Sequence, residues 1–146
     1  SNLNRQNYKI SDIGKEKVLA TKKTIEETIP YTKIHAKNIY LDEKNMDEII
    51  EKTDYFIEAF DKKESKVMAF DYFSKKENKF LFTASGMAGL GDFSDIKVKK
   101  INNITMVGDF KSNAKKDGLY LAYVSIMASL EALECLKKIR KDYYGR

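Results

Sequence analysis

Apolar positions along the chain fall first at helical spacing and then in short blocks. Val18, Ile25 and Ile29 recur close to a helical period, with Leu19 and Ala20 beside them, until Pro30 stops the run. With Asp12 as its cap, this predicts a helix from Asp12 to about Ile29. Lys33–Leu41 is rich in β-branched and aromatic residues and reads as a strand. Asp42 or Asn45 then caps a short helix around Met46–Glu51. Asp54–Phe60 is mostly apolar and bounded by charges, the pattern of a strand buried on both faces. Glu64–Lys75 follows as a helix with Val67, Phe70 and Phe73 turned inward, and Lys79–Ser85 is a second buried strand.

Alternation of this kind predicts a parallel sheet covered by helices. The pattern changes after Gly86. Residues 86–91 hold three glycines and form a loop. Segments 95–101 and 104–110 are joined by Asn102–Asn103, whose asparagines tolerate the positive φ that a tight hairpin requires. The sheet is therefore mixed. A long helix is predicted over 119–141. Ala122, Ser125, Ser129 and Ala132 form a small-residue stripe on it, and Val124, Met127, Leu130, Leu133 and Leu136 form a broad apolar face. Its almost uncharged first half is expected to be buried. No repeat, linker or low-complexity stretch divides the chain, so one domain is expected over residues 1–146.

Composition narrows the class. The 146 residues are 42% apolar and 34% charged, enough apolar mass to offset chain entropy and exclude a disordered tail. No apolar run approaches the ~20 residues that span a bilayer, so no membrane is expected as a partner. No cationic segment followed by an apolar stretch opens the chain, as a secretory signal would. The single cysteine, Cys135, excludes an intrachain disulfide and a cysteine zinc cage, so no zinc site is expected and a reducing, cytoplasmic setting fits. The net charge of +5 raises nucleic acid as a partner. Against that, the basic residues are mostly lysines interleaved with acids or with strand residues, as at Lys97, Lys99 and Lys100. A solvated surface is the better reading, because base readout favours arginine.

Candidate chemistry gathers where parallel strands end. Asp61 directly follows the 54–60 strand, where a carboxylate either holds Mg²⁺ or a ribose, or simply caps the next helix. Arg5 and Gln6 lie in the polar opening stretch, as a phosphate contact or as an ordinary terminus. Lys17 lies one turn into the first helix, near the same strand ends, or is merely solvated. The loop Gly86–Gly91 reads G-x-x-G-x-G and leads into a strand, so it lacks the helix N-terminus of a dinucleotide fingerprint. It is a flexible connection or a substrate-binding crossover. His35, the one histidine, has no nucleophile motif beside it, and Cys135 has no thiolate-stabilising context.

Ser1-Asn2-Leu3-Asn4-Arg5-Gln6 resembles the signature of the ThiF/MoeB superfamily of ubiquitin-activating-type adenylyltransferases. Gly14-Lys15-Glu16-Lys17-Val18 resembles that family's helix start, and Phe56–Asp61 its strand ending in a Mg²⁺-site aspartate. Thr83–Gly89 and Gly118–Leu130 resemble the short ThiF-like branch linked to thiamine biosynthesis, which also manages without zinc-binding cysteines.

The resemblance spans essentially the whole chain and implies an α/β fold, an incomplete Rossmann-like three-layer sheet with parallel strands, then an antiparallel hairpin and a long C-terminal helix. It implies ATP and Mg²⁺ as cofactors. Ser1, Asn2, Arg5 and Gln6 would line the phosphate and ribose region, Lys17 would neutralise the α-phosphate, and Asp61 would hold Mg²⁺ with Lys62 adjacent. The implied partner is a ThiS-like, ubiquitin-fold sulfur carrier whose C-terminal glycine is adenylated, and the implied assembly is a homodimer. The family's glycine-rich βαβ unit, about 30 residues, stands before SNLNRQ and is absent here. Relatives also carry an Ala-Pro-Arg-like tripeptide where Leu121-Ala122-Tyr123 stands. The 146 residues alone are therefore expected to be inactive, and a non-catalytic dimerisation or carrier-binding module is the alternative.

Overall fold

The computed structural model describes Gln6 and residues 8–145, in two compact units, Ser1–Leu41 and Asp42–Arg146. The first unit holds one α-helix, α1 (Lys17–Thr28). It starts five residues later than Asp12, because Gly14 takes a positive φ of 87° and breaks the chain direction between them. Asp12 instead closes a 3₁₀ turn over Ile10–Asp12 and accepts from the Lys9 amide and the Lys15 ammonium. Both contacts hold its carboxyl below the usual range, the Lys9 amide most. Residues 33–41 do not form the predicted strand. Only Ile34, Ala36 and Leu41 are part-buried there. β-Propensity without a partner ladder does not make a strand.

The second unit follows the order α2 (Met46–Ile50), β1 (Tyr55–Glu58), α3 (Lys63–Ser74), β2 (Phe80–Ala84), β3 (Lys97–Ile101), β4 (Ile104–Gly108), α4 (Ala114–Asp117) and α5 (Leu121–Tyr144). The four strands form one sheet in the order β1-β2-β4-β3, with β1, β2 and β4 parallel and β3 antiparallel to β4. The hairpin turns at Asn102, which takes the positive φ of 52° that its side chain tolerates. This is the mixed, Rossmann-like α/β architecture expected from the sequence.

Alternation along β1 sorts the sheet's two faces. Phe56 packs on Phe73 of α3 at 4.8 Å between ring centroids, so Phe56, Glu58 and their register partners Leu81 and Thr83 face α3. Tyr55 donates to Asp142 of α5, so Tyr55, Phe80 and Phe82 face α5. The Asp142 contact pushes the Tyr55 hydroxyl up to about 12. The core is built on these two faces from Leu81, Ile104, Ala69 and Phe73, and from Phe82, Val107, Tyr123 and Met127. Val67, predicted inward, is half exposed, and Ala69 takes its place facing the sheet.

Helix α5 also differs from expectation. Its buried positions are Tyr123, Met127, Glu131, Glu134 and Cys135, whereas Leu133 and Leu136 are 47% and 61% exposed. Eight of the first ten residues of α5 are apolar yet only Tyr123 and Met127 are fully buried, and the small-residue stripe points away from the sheet. The apolar residues thus occupy two opposite faces, one of them on the sheet.

Asn103 fastens the hairpin to α3. Its amide nitrogen donates to the carbonyls of Phe73, Lys76 and Lys79 at 2.6–2.7 Å, satisfying groups left open where α3 ends. Asn103→Ala is expected to cost about 2 kcal/mol in urea denaturation, because it takes the donor from the Lys76 and Lys79 carbonyls, whereas Phe73 keeps the Lys76 amide. A loss under about 0.5 kcal/mol would show that water replaces the amide there.

Candidate functional site

Because β1, β2 and β4 are parallel, their carboxyl ends share one edge of the sheet, which carries residues 59–62, 85–91 and 109–112. That edge is where a parallel α/β sheet offers a crevice to ligands. Of the acids around it, Glu58 and Asp109 are locked and Asp61 is free.

The locked residues begin with Glu58. It is the last residue of β1 and is buried, with Lys66 of α3 bound to both its oxygens at 3.0 and 2.8 Å. The Thr83 hydroxyl and the Phe60 amide also donate to it. Lys66 donates further to the Ala84 carbonyl at 3.2 Å. One ammonium therefore ties the ends of β1 and β2 to α3. A carboxylate this deep is tolerated because every donor it needs converges on it.

A second brace stands at the end of β4. Asp109 accepts from the Lys111 and Ser112 amides at 2.8 Å each and from the Tyr123 hydroxyl at 3.4 Å. Burial pushes its carboxyl up, but the Ser112 and Lys111 amides outweigh this and hold it below the usual range. Ser112 in turn accepts from the Ala88 amide, and Gly86 accepts from the Asp109 amide. Gly86 is required, because a Cβ there would lie 2.1 Å from the Asp109 carboxylate and its φ is +74°. The glycine loop is thus fastened to the β4 exit at Gly86 and Ala88.

The free residue is Asp61. It stands exposed between β1 and α3, and the helix cap is Lys62, not Asp61. Asp61 makes no hydrogen bond or ion pair among the described residues, so the capping alternative drops away. Both its oxygens are open to a ligand. Among the described residues no group of three metal-ligating side chains occurs, so any divalent ion here would take one carboxylate and complete its shell elsewhere. That suits Mg²⁺, which keeps several waters and is bound by one or two carboxylates plus substrate phosphates.

In the first unit, Lys17 is the first residue of α1, and its N-cap Glu16 makes no side-chain cap bond. A lysine there opposes the helix dipole unless an anion is present. Gln6 is half-buried in a bend. Ser1, Asn2 and Arg5 lie outside the described residues. His35 is exposed and Cys135 is buried, where desolvation raises its thiol.

Sequence reasoning missed Glu58, Lys66 and Asp109. For Glu58 the signal existed: a lone acid in the apolar run 54–60 must find a cation, and Lys66 is the lysine of α3 that reaches back to it.

A parallel-edge α/β crevice beyond buried strands defines the class of Rossmann-like folds. Within that class the chain belongs to the ThiF family, whose profile matches residues 1–145. No curated protein sequence matches it significantly. Among solved structures, it is similar to the E. coli tRNA N6-threonylcarbamoyladenosine dehydratase TcdA in complex with AMP. The TM-score is 0.83 at 16% identity, over 99% of this chain and 73% of that one. The same enzyme in complex with ATP matches with a TM-score of 0.75 at 15% identity, over 96% and 72%. At such identities the likeness establishes the fold. No helix among the described residues is long and apolar enough to cross a membrane.

Proposed function

We propose that this chain serves an adenylating enzyme activity that transfers AMP from ATP onto a carboxylate. The observation that carries this reading is Asp61, left open at the mouth of β1 by the Glu58–Lys66 brace in a chain of the ThiF family. The similar E. coli structures in complex with AMP and ATP support it.

The chemistry needs positioning and cationic stabilisation more than proton transfer. A carboxylate is ionised at neutral pH, so it attacks the α-phosphorus without a general base. A carboxylate oxygen bonds to phosphorus as the bond to pyrophosphate breaks in line, and pyrophosphate carries away the electron pair. Lys17, at the positive end of α1, neutralises charge on the α-phosphate. Asp61 would hold Mg²⁺, which would supply positive charge against the pyrophosphate oxygens. Lys62 adds a second cation beside it. The glycine loop, held by Asp109, shapes the wall on which the acceptor lies.

The acceptor we propose is the C-terminal glycine of a ThiS-like carrier. The test is ATP–pyrophosphate exchange by the polypeptide of the native gene, with the carrier and, separately, with threonylcarbamoyl-modified tRNA. Exchange with the carrier is expected, with Lys17→Ala and Asp61→Ala each lowering it by about 100-fold at unchanged melting temperature. Exchange with the tRNA alone would reassign the acceptor. No exchange with either would overturn the adenylating reading and leave a non-catalytic module.

A further inference from the structure

The outer face of α5 carries a second surface that adenylation does not use. Leu133, Leu136, Tyr143 and Tyr144 are all exposed there, opposite the buried row Met127, Glu131, Glu134 and Cys135. Leu136, Ile139, Arg140 and Tyr144 line a shallow hollow of about 570 Å³. Successive positions three and four apart share one helix face, so Arg140 lies in the middle of this apolar stripe.

The charges around the hollow are one-sided. Lys137, Lys138, Arg140 and Lys141 stand against only Glu134 and Asp142 in this stretch. Both acids are engaged. Glu134 is buried and held by Lys137 at 2.6 Å and Lys100 at 3.0 Å, which keeps its carboxyl low, the Lys137 contact most. Asp142 is held by Lys138 and Tyr55. Arg140 and Lys141 form no salt bridge among the described residues.

We propose that this face is the docking surface for an acidic amphipathic helix of a partner protein, whose leucine-type side chains enter the hollow while its carboxylates pair with Arg140 and Lys141. The face is an unpartnered apolar helix stripe of the kind that takes a helix with anchors at i, i+3, i+4 and i+7. Two other occupants fit the charge worse. A second copy related by a twofold axis through this face would set Arg140 against Arg140 with no free acid to separate them. A lipid surface would accept the leucines, but interfacial helices keep cations off the apolar stripe, and Arg140 sits within it.

The proposal does not depend on adenylation, and its test needs no nucleotide. The probe is a fluorescent peptide roughly 15 residues long, with leucines at helical spacing flanked by glutamates. The control peptide has the glutamates replaced by lysines. The acidic peptide is expected to bind the polypeptide of the native gene, and binding should fall steeply with added salt. Arg140→Ala and Leu136→Ser should each weaken it by about tenfold, the loss of one charge-assisted contact or one buried anchor. Both residues are exposed, so the melting temperature should not move. Failure of the acidic peptide to bind, or equal binding of both peptides, would overturn the proposal. So would a dimer in sedimentation that Leu136→Ser converts to monomer, or co-sedimentation with phosphatidylcholine–phosphatidylglycerol vesicles that Leu136→Ser abolishes.

Discussion

Lys66→Met is expected to destabilise the protein by about 3–5 kcal/mol, the cost of leaving a buried carboxylate without its cation. Glu58 has no other cation among the described residues, only the Thr83 hydroxyl and the Phe60 amide. Lys66 is itself partly exposed, so the loss should fall toward the lower end. Lys66→Arg keeps the charge and should lose far less. Adding Glu58→Gln to Lys66→Met should return part of the stability, because the stranded charge is then gone. Urea unfolding of the four proteins gives the coupling directly. A loss below about 1 kcal/mol for Lys66→Met would mean that water reaches Glu58 and the brace is not one.

The second large effect has the opposite sign. Glu131 lies on the face of α5 turned to the sheet, 5% exposed, and its Oε1 has no hydrogen-bond partner among the described residues. Burial, and then the Glu58 charge, push its carboxyl up to about 7, while Lys66 pulls it back. An unfolded glutamate titrates near its ordinary value, so between about pH 4.5 and 7 the native state holds a proton that the unfolded state has released. Stability is therefore lost as pH rises through that window, and the loss is complete above it. Glu131→Gln removes the penalty. It should leave stability almost unchanged near pH 4.5 and raise it by as much as about 3 kcal/mol at pH 8. A urea midpoint for Glu131→Gln that shows no pH-dependent gain would mean that Glu131 is solvated or has a donor. Because Lys66 acts on Glu131 as well as on Glu58, the two substitutions should not be additive.

What the sequence revealed and what it hid follow one division. Segments whose partners are close in sequence were readable. The β1–α3–β2 unit and the 97–108 hairpin came from apolar blocks separated by charges and from two asparagines at the turn. Features fixed by distant partners were not. Residues 33–41 have strand composition, yet strand formation depends on a neighbouring ladder that sequence pattern does not specify. Leu133 and Leu136 look like core by spacing, but α5 has only one face on the sheet, and its phase is set by Met127 and Cys135. At the candidate site, Asp61 and Lys17 were legible as polar residues at element boundaries. The Glu58–Lys66 brace and the Asp109 cradle are not legible there, because Glu58 gathers donors from three segments and Asp109 gathers them from its own loop and α5.

The two ends of the sheet differ in how they would tolerate crowding. At one end β3 is exposed throughout and carries Lys97, Lys99 and Lys100, a charged border that repels another strand. At the other end β1, with the sequence Tyr-Phe-Ile-Glu, bonds only to β2 among the described residues and carries no lysine. In these 146 residues ordered aggregates are therefore expected to grow from β1 rather than from β3. A single lysine introduced at Ile57, which is half exposed, would give the unguarded border the protection that its opposite already has.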